Sequence, residues 1–120
     1  MKGALILSKD PDFFRAFVGC IRNSGMRHIA AENSIKILSA DNEYVMVYQR
    51  TEVGDVFNEF DIPSQAASSG YQYAFVVECR NERVFCNTIG SEFLHLDMLI
   101  CDSDGALYWP HELSPESIVL

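Results

Sequence analysis

The residues of this chain best suited to covalent or metal chemistry are its three histidines and four cysteines. His95-Leu96-Asp97 sets an imidazole and a carboxylate two positions apart, on one face of an extended backbone, so that Asp97 could orient His95. With Cys86 or Cys101 nearby, such a pair would make a cysteine-nucleophile site. The surroundings argue against it. Cys101 alternates with Leu99 and reads as core, and His95 sits where a helix passes into a strand. Asp102-x-Asp104-Gly105 resembles the opening of a calcium loop, but His111 stands where that loop needs its bidentate glutamate. A tight turn explains the same residues. There is no C-x-x-C pair, no G-x-S-x-G elbow and no H-E-x-x-H, and the glycines at 3, 19, 25, 54, 70, 90 and 105 never cluster into a phosphate loop. The chain therefore reads as non-enzymatic, with no cofactor and no metal.

Charge is more informative. The net charge of −8 disfavours nucleic acid as a partner, since that affinity comes from neutralising phosphates with Lys and Arg. Residues 1–50 carry seven basic and five acidic side chains, a net +2, whereas residues 51–120 carry two basic and twelve acidic ones, a net −10. Such asymmetry can steer a basic partner to one side of a molecule, although acidity also serves plain solubility. Glu52, Asp55, Glu59 and Asp61 crowd one short stretch without a Lys or Arg among them, interleaved with Val53, Val56, Phe57, Phe60 and Ile62. With Tyr71 and Tyr73 following, this has the composition of a protein-binding surface for a basic partner, or of an amphipathic helix with its polar face in water. Asp102 and Asp104 form a second acidic patch.

The elements that must position these residues follow from periodicity. Gly3 to Ser8 is a short apolar run suited to a buried strand. Its apolar core is too short for a signal peptide, and no run approaches the ~20 residues that cross a bilayer, so the chain reads as unexported and cytoplasmic. Asp10 as N-cap, Pro11 at the first helical position and Phe14, Phe17, Val18 and Ile21 on one face predict a helix that stops at Gly25. Ile35–Leu38 and Tyr44–Tyr48 form a hairpin, and Pro63 to Gly70 reads as a surface loop. Tyr71–Cys79 is a further strand, residues 81–93 a second helix, and the Asp104-Gly105 pair turns a last hairpin between 97–101 and 106–109. The apolar end, Ile118-Val119-Leu120, packs back on the rest. At 120 residues the chain fits one unit, 1–120, large enough for a core without staples, so the four cysteines read as buried free thiols. The expected fold is α/β (α+β), a mixed sheet of about six strands with two main helices, arranged as two strand–helix–hairpin units.

A small, acidic, motif-free chain with uneven charge resembles, in overall type, the bacterial toxin-immunity proteins of contact-dependent growth inhibition. The resemblance implies a tight complex with a cognate basic toxin domain, often a nuclease, whose active site or adjacent surface is covered. Glu52, Asp55, Glu59, Asp61, Tyr71 and Tyr73, with Asp102 and Asp104 as a second patch, would meet that partner, aromatics supplying affinity and carboxylates steering. The competing reading is a small-molecule-binding regulatory homodimer without catalytic activity. If the acidic stretch steers association, replacing Asp55, Glu59 and Asp61 together with Asn/Gln slows binding to a basic partner and flattens its salt dependence, as stopped-flow kinetics would record. An unchanged rate removes the stretch from the interface.

Overall fold

Residues 2–39, 43–49, 63–90 and 96–120 are described in the computed structural model. Their fold grows from β1, Lys2–Ser8, whose residues 4–7 are apolar and buried. A run that is apolar on both of its faces needs cover on both, and β1 finds it inside a seven-stranded sheet of order β2-β3-β4-β5-β1-β6-β7. Seven consecutive pairings, Lys2 opposite Cys79 through Ser8 opposite Tyr73, tie β1 to β5 (Tyr73–Cys79), while Leu5–Leu7 pair with β6 (Leu99–Cys101) on its other edge.

Ala4 and Ile6 point to one side of the sheet with Ile35 and Ile37 of β3 (Ser34–Leu38), Val45 and Val47 of β4 (Tyr44–Tyr48), and Phe75 and Val77 of β5. Two helices cover this side. Helix α1 spans Phe13–Ser24 and buries Phe13, Phe14, Phe17 and Ile21. The Asp10 carboxylate accepts the Asp12 N–H at 2.8 Å in a turn before the helix, but the N-cap is Asp12 rather than the expected Asp10, and the regular turns begin at Phe13 rather than Pro11. Gly25, at φ 79°, ends it in the left-handed conformation that glycine adopts without penalty. Helix α3, Glu82–Ile89, starts where Asn81 Oδ1 accepts the Val84 N–H at 2.9 Å, and buries Phe85, Cys86, Thr88 and Ile89. Its described turns run to Ile89 with Gly90 as C-cap, and positions 91–93 of the expected helix lie outside the described residues. The backbone at the C-cap turns so tightly that a Cβ on Gly90 would lie 2.6 Å from the Cys86 carbonyl oxygen.

Leu5 and Leu7 face the opposite side with Ala74, Leu99 and Cys101. Ala66 and Tyr71 cap this smaller core. The segment from Pro63, read from sequence as a loop, carries a short helix here, α2, Ser64–Ser68. Its small polar residues hid one apolar anchor: Ala66 is 1 % exposed, and burial against the sheet holds the turn that propensity left undecided. A three-residue edge strand, β2 (His28–Ala30), and β7 (Leu107–Tyr108) complete the sheet.

The α+β class and the strand–helix–hairpin character of each half are as expected. The sheet, however, is not mixed: every strand pairing among the described residues is antiparallel. The reason is that both edges of β1 are occupied by strands from the second half, so the crossover through α1 cannot land beside it. The halves interlock instead. β4 of the first pairs with β5 of the second, and β6 of the second with β1 of the first. The hairpins also run in opposite order, outer strand first in one half and inner strand first in the other, so the two units do not repeat one another in space.

The last turn is built around one carboxylate. Asp102 is 5 % exposed. Its Oδ1 accepts the N–H groups of Asp104 (3.0 Å) and Ala106 (2.9 Å), and its Oδ2 accepts that of Val119 (3.2 Å). Gly105, at φ 83°, allows the reversal, and Ser103 binds the Val119 carbonyl through both its N–H and its hydroxyl. The closing segment is thereby tied to the hairpin with Ile118 in the main core. Replacing Asp102 with Ala removes the acceptor of three backbone N–H groups and costs about 1–3 kcal/mol in urea unfolding, while Asp104→Asn changes stability little. Equal effects of the two substitutions would contradict this role.

Candidate functional site

Above the smaller core the surface opens into a cleft of about 420 Å³. Leu99 of β6, Leu107 of β7 and Ala66 of α2 lie at its base, with Gln65, Ser69 and Glu112 among the polar residues that line it. Two aromatic walls meet there. Tyr71 and Trp109 have ring centroids 6.0 Å apart and planes at 74°, an edge-to-face corner. Trp109 is the only tryptophan of the chain and is 41 % exposed, an unusual place for so large an apolar surface. It follows β7 directly and precedes a 3₁₀ turn, Pro110–Glu112, in which the Glu112 carboxylate accepts the Trp109 N–H at 2.9 Å and fixes where the indole leaves the backbone.

Tyr71 is held just as firmly. Gly70, at φ 93°, swings the chain off α2, and the phenol donates to Asp97 Oδ1 at 2.6 Å. Burial, reinforced by the hydrogen bond to Asp97 and its charge, pushes the phenol up to about 12. The Lys9 ammonium lies over the face of the Tyr71 ring, 4.9 Å from its centroid, and 4.0 Å from Asp97 Oδ2. One lysine, one carboxylate and two aromatic rings thus form a continuous polar–aromatic cluster at the mouth of the cleft.

Of the residues singled out from sequence, Tyr71 is a wall of this cleft, though buried rather than displayed. Tyr73 begins β5 opposite Ser8, on the helix-covered side, and is 39 % exposed. Asp104 is exposed at the hairpin tip. Asp102 is not available to a partner, because its oxygens are taken up by backbone N–H groups and the side chain is buried; an Asp before a turn looks the same in sequence whether it caps the turn or faces water. Glu52, Asp55, Glu59 and Asp61 lie outside the described residues, as does His95. Asp97, paired in sequence with His95, accepts the Tyr71 phenol. Lys9, Trp109 and Glu112 were not singled out. The single Trp at the end of a hairpin strand was the one signal that could have drawn attention to them.

All four cysteines are free; Cys79, Cys86 and Cys101 are buried and Cys20 is half-buried. Burial pushes the Cys79 and Cys86 thiols up to about 11 and raises that of Cys101, the opposite of what a nucleophile requires. Among the described residues no three His, Cys, Asp or Glu side chains stand together as a metal-holding group, and no helix is long and apolar enough to cross a membrane. A second groove, between α1 and the β2 end of the sheet, is lined by Arg15, Arg22 and Glu32. The aromatic cleft, by contrast, is lined by one cation and one anion, Lys9 and Glu112. No protein-family model matches this chain, and no curated protein or solved structure matches it either.

The Tyr71 phenol is held neutral by the fold, its value raised above the ordinary 10. Its contribution to stability is therefore complete below pH 10 and is lost as pH rises from 10 towards about 12. Cys79 and Cys86 lose theirs in the same direction, from 9 towards 11. Tyr71→Phe should accordingly flatten the upper part of the alkaline stability loss in urea titrations. An unchanged profile would mean that the fold does not hold the phenol neutral.

Proposed function

We propose that this chain is an acidic protein-binding module of the immunity type, one that neutralises a cognate basic toxin domain in the bacterial cytoplasm by covering its active site or an adjacent surface. In this reading it performs no catalysis. The observation that carries the reading is Trp109, 41 % exposed in a stretch, residues 96–120, that holds five carboxylates and no Lys or Arg. Tryptophan and tyrosine are the residues most often found to dominate binding energy at protein interfaces, and a surrounding negative field speeds encounter with a basic partner. Tyr71 backs the indole and Glu112 anchors its backbone, so the aromatic anchor is held in place before any partner arrives, which lowers the entropic cost of docking. The raised thiols weigh on the same side, since they leave the cysteines poorly suited to nucleophilic work.

The cleft's volume favours a second reading. About 420 Å³ falls within the range of small-molecule sites, as a regulatory, homodimeric ligand-binding domain would need. Co-expression separates the two. The basic domain encoded beside this chain's own gene should arrest growth alone, and growth should return when this chain is supplied, with a 1:1 complex on size exclusion. Trp109→Ala should weaken that complex by about 2 kcal/mol or more. Absence of rescue and of complex, with a stable homodimer in their place, would overturn the immunity reading in favour of the regulatory one.

A further inference from the structure

We infer that the Tyr71–Trp109 corner is a cation cage built to receive an arginine side chain from a protein partner, and that Lys9 occupies it as the chain's own stand-in. The inference deepens the binding reading above and rests on it for the source of the arginine, but not for the chemistry of the cage. The Lys9 ammonium, seated 4.9 Å from the Tyr71 ring centroid and 4.0 Å from Asp97 Oδ2, shows what this corner takes: a cation against an aromatic face with a carboxylate alongside. Its side chain is 53 % exposed and its carboxylate contact is at the outer limit of an ion pair, so it is easily displaced. Trp109 stands at 74° to Tyr71 and presents a second, more exposed aromatic wall. Glu112, which also lines the cleft, binds the Trp109 N–H through Oε1. A guanidinium stacked on the indole would replace one point charge by a flat cation with several N–H donors, able to address the Glu112 carboxylate that lines the cleft. Arginine on a basic protein is the occupant that the charge favours, because residues 96–120 hold four carboxylates besides the buried Asp102 and no Lys or Arg.

Because Trp109 is the only tryptophan, its fluorescence reports on the cage directly. The full chain is titrated with N-acetyl-arginine amide, with the neutral isostere N-acetyl-citrulline amide, and with N-acetyl-lysine amide. Expected is a saturable change with the arginine compound, a weaker one with the lysine compound and none with citrulline. Lys9→Met, or Lys9→Gln as a second variant at this exposed position, should lower the half-saturating arginine concentration about two- to fivefold, the equivalent of removing a competing exposed cation–aromatic contact. Glu112→Gln, which can still accept the Trp109 N–H, should raise it by a similar factor. Equal responses to arginine and citrulline, or a half-saturation unmoved by either Lys9 substitution, would overturn the cage. Arginine saturation without growth rescue would keep the cage and discard the toxin reading. Rescue without arginine saturation would keep the reading and move the interface elsewhere.

Discussion

The structure depends on β1 being paired along both edges and buried on both faces. Its apolar residues 4–7 reach both cores, Ala4 and Ile6 to the helix-covered side and Leu5 and Leu7 to the other. Each such side chain contributes about 1.5–3 kcal/mol on burial, less for the smaller Ala4. β1 joins the first half of the chain to the second through β5, and holds the final hairpin through β6. The consequence is an interlocked fold in which neither half can complete its own sheet.

That interlocking creates the cleft. Lys9 leaves the end of β1, Tyr71 enters at the start of the segment leading to β5, and Trp109 leaves β7. They come from distant parts of the chain and meet because β1, β5, β6 and β7 bring those ends together. The smaller core beneath, Leu5, Leu7, Ala66, Ala74, Leu99 and Cys101, is therefore also the platform of the candidate site. Its polar groups are placed by hydrogen bonds rather than left to flex: Asp97 on Tyr71, Glu112 on the Trp109 backbone, and Asp102 on the turn between β6 and β7.

The same residue type plays different parts along this surface. Asp102 and Asp104 are two residues apart, yet one is a buried organiser of backbone N–H groups and the other faces solvent. Asp97 receives a phenol, and Glu112 secures a turn. Negative charge near the cleft is thus partly structural and partly available, and a count of carboxylates by segment does not separate the two.

The α+β class, helix α1 with its phenylalanine face, the two hairpins and the Asp-Gly turn were all legible from sequence. So was the burial of the thiols of Cys79, Cys86 and Cys101. These features are local: periodicity, caps and turn residues act over a few positions and leave their mark there. Strand order was not legible, nor was the antiparallel placement of β1 between strands of the other half, because pairing partners compete across the whole chain and only the packed sheet decides among them. The short helix at Ser64–Ser68 escaped notice because one buried Ala66, not propensity, holds it. For the same reason the sequence alone determined that the chain is acidic, unevenly charged and free of a catalytic motif, while only the tertiary structure decided which side chains share a site. Lys9, Tyr71, Asp97 and Trp109 become neighbours through long-range sheet pairing, a contact that no spacing along the chain encodes.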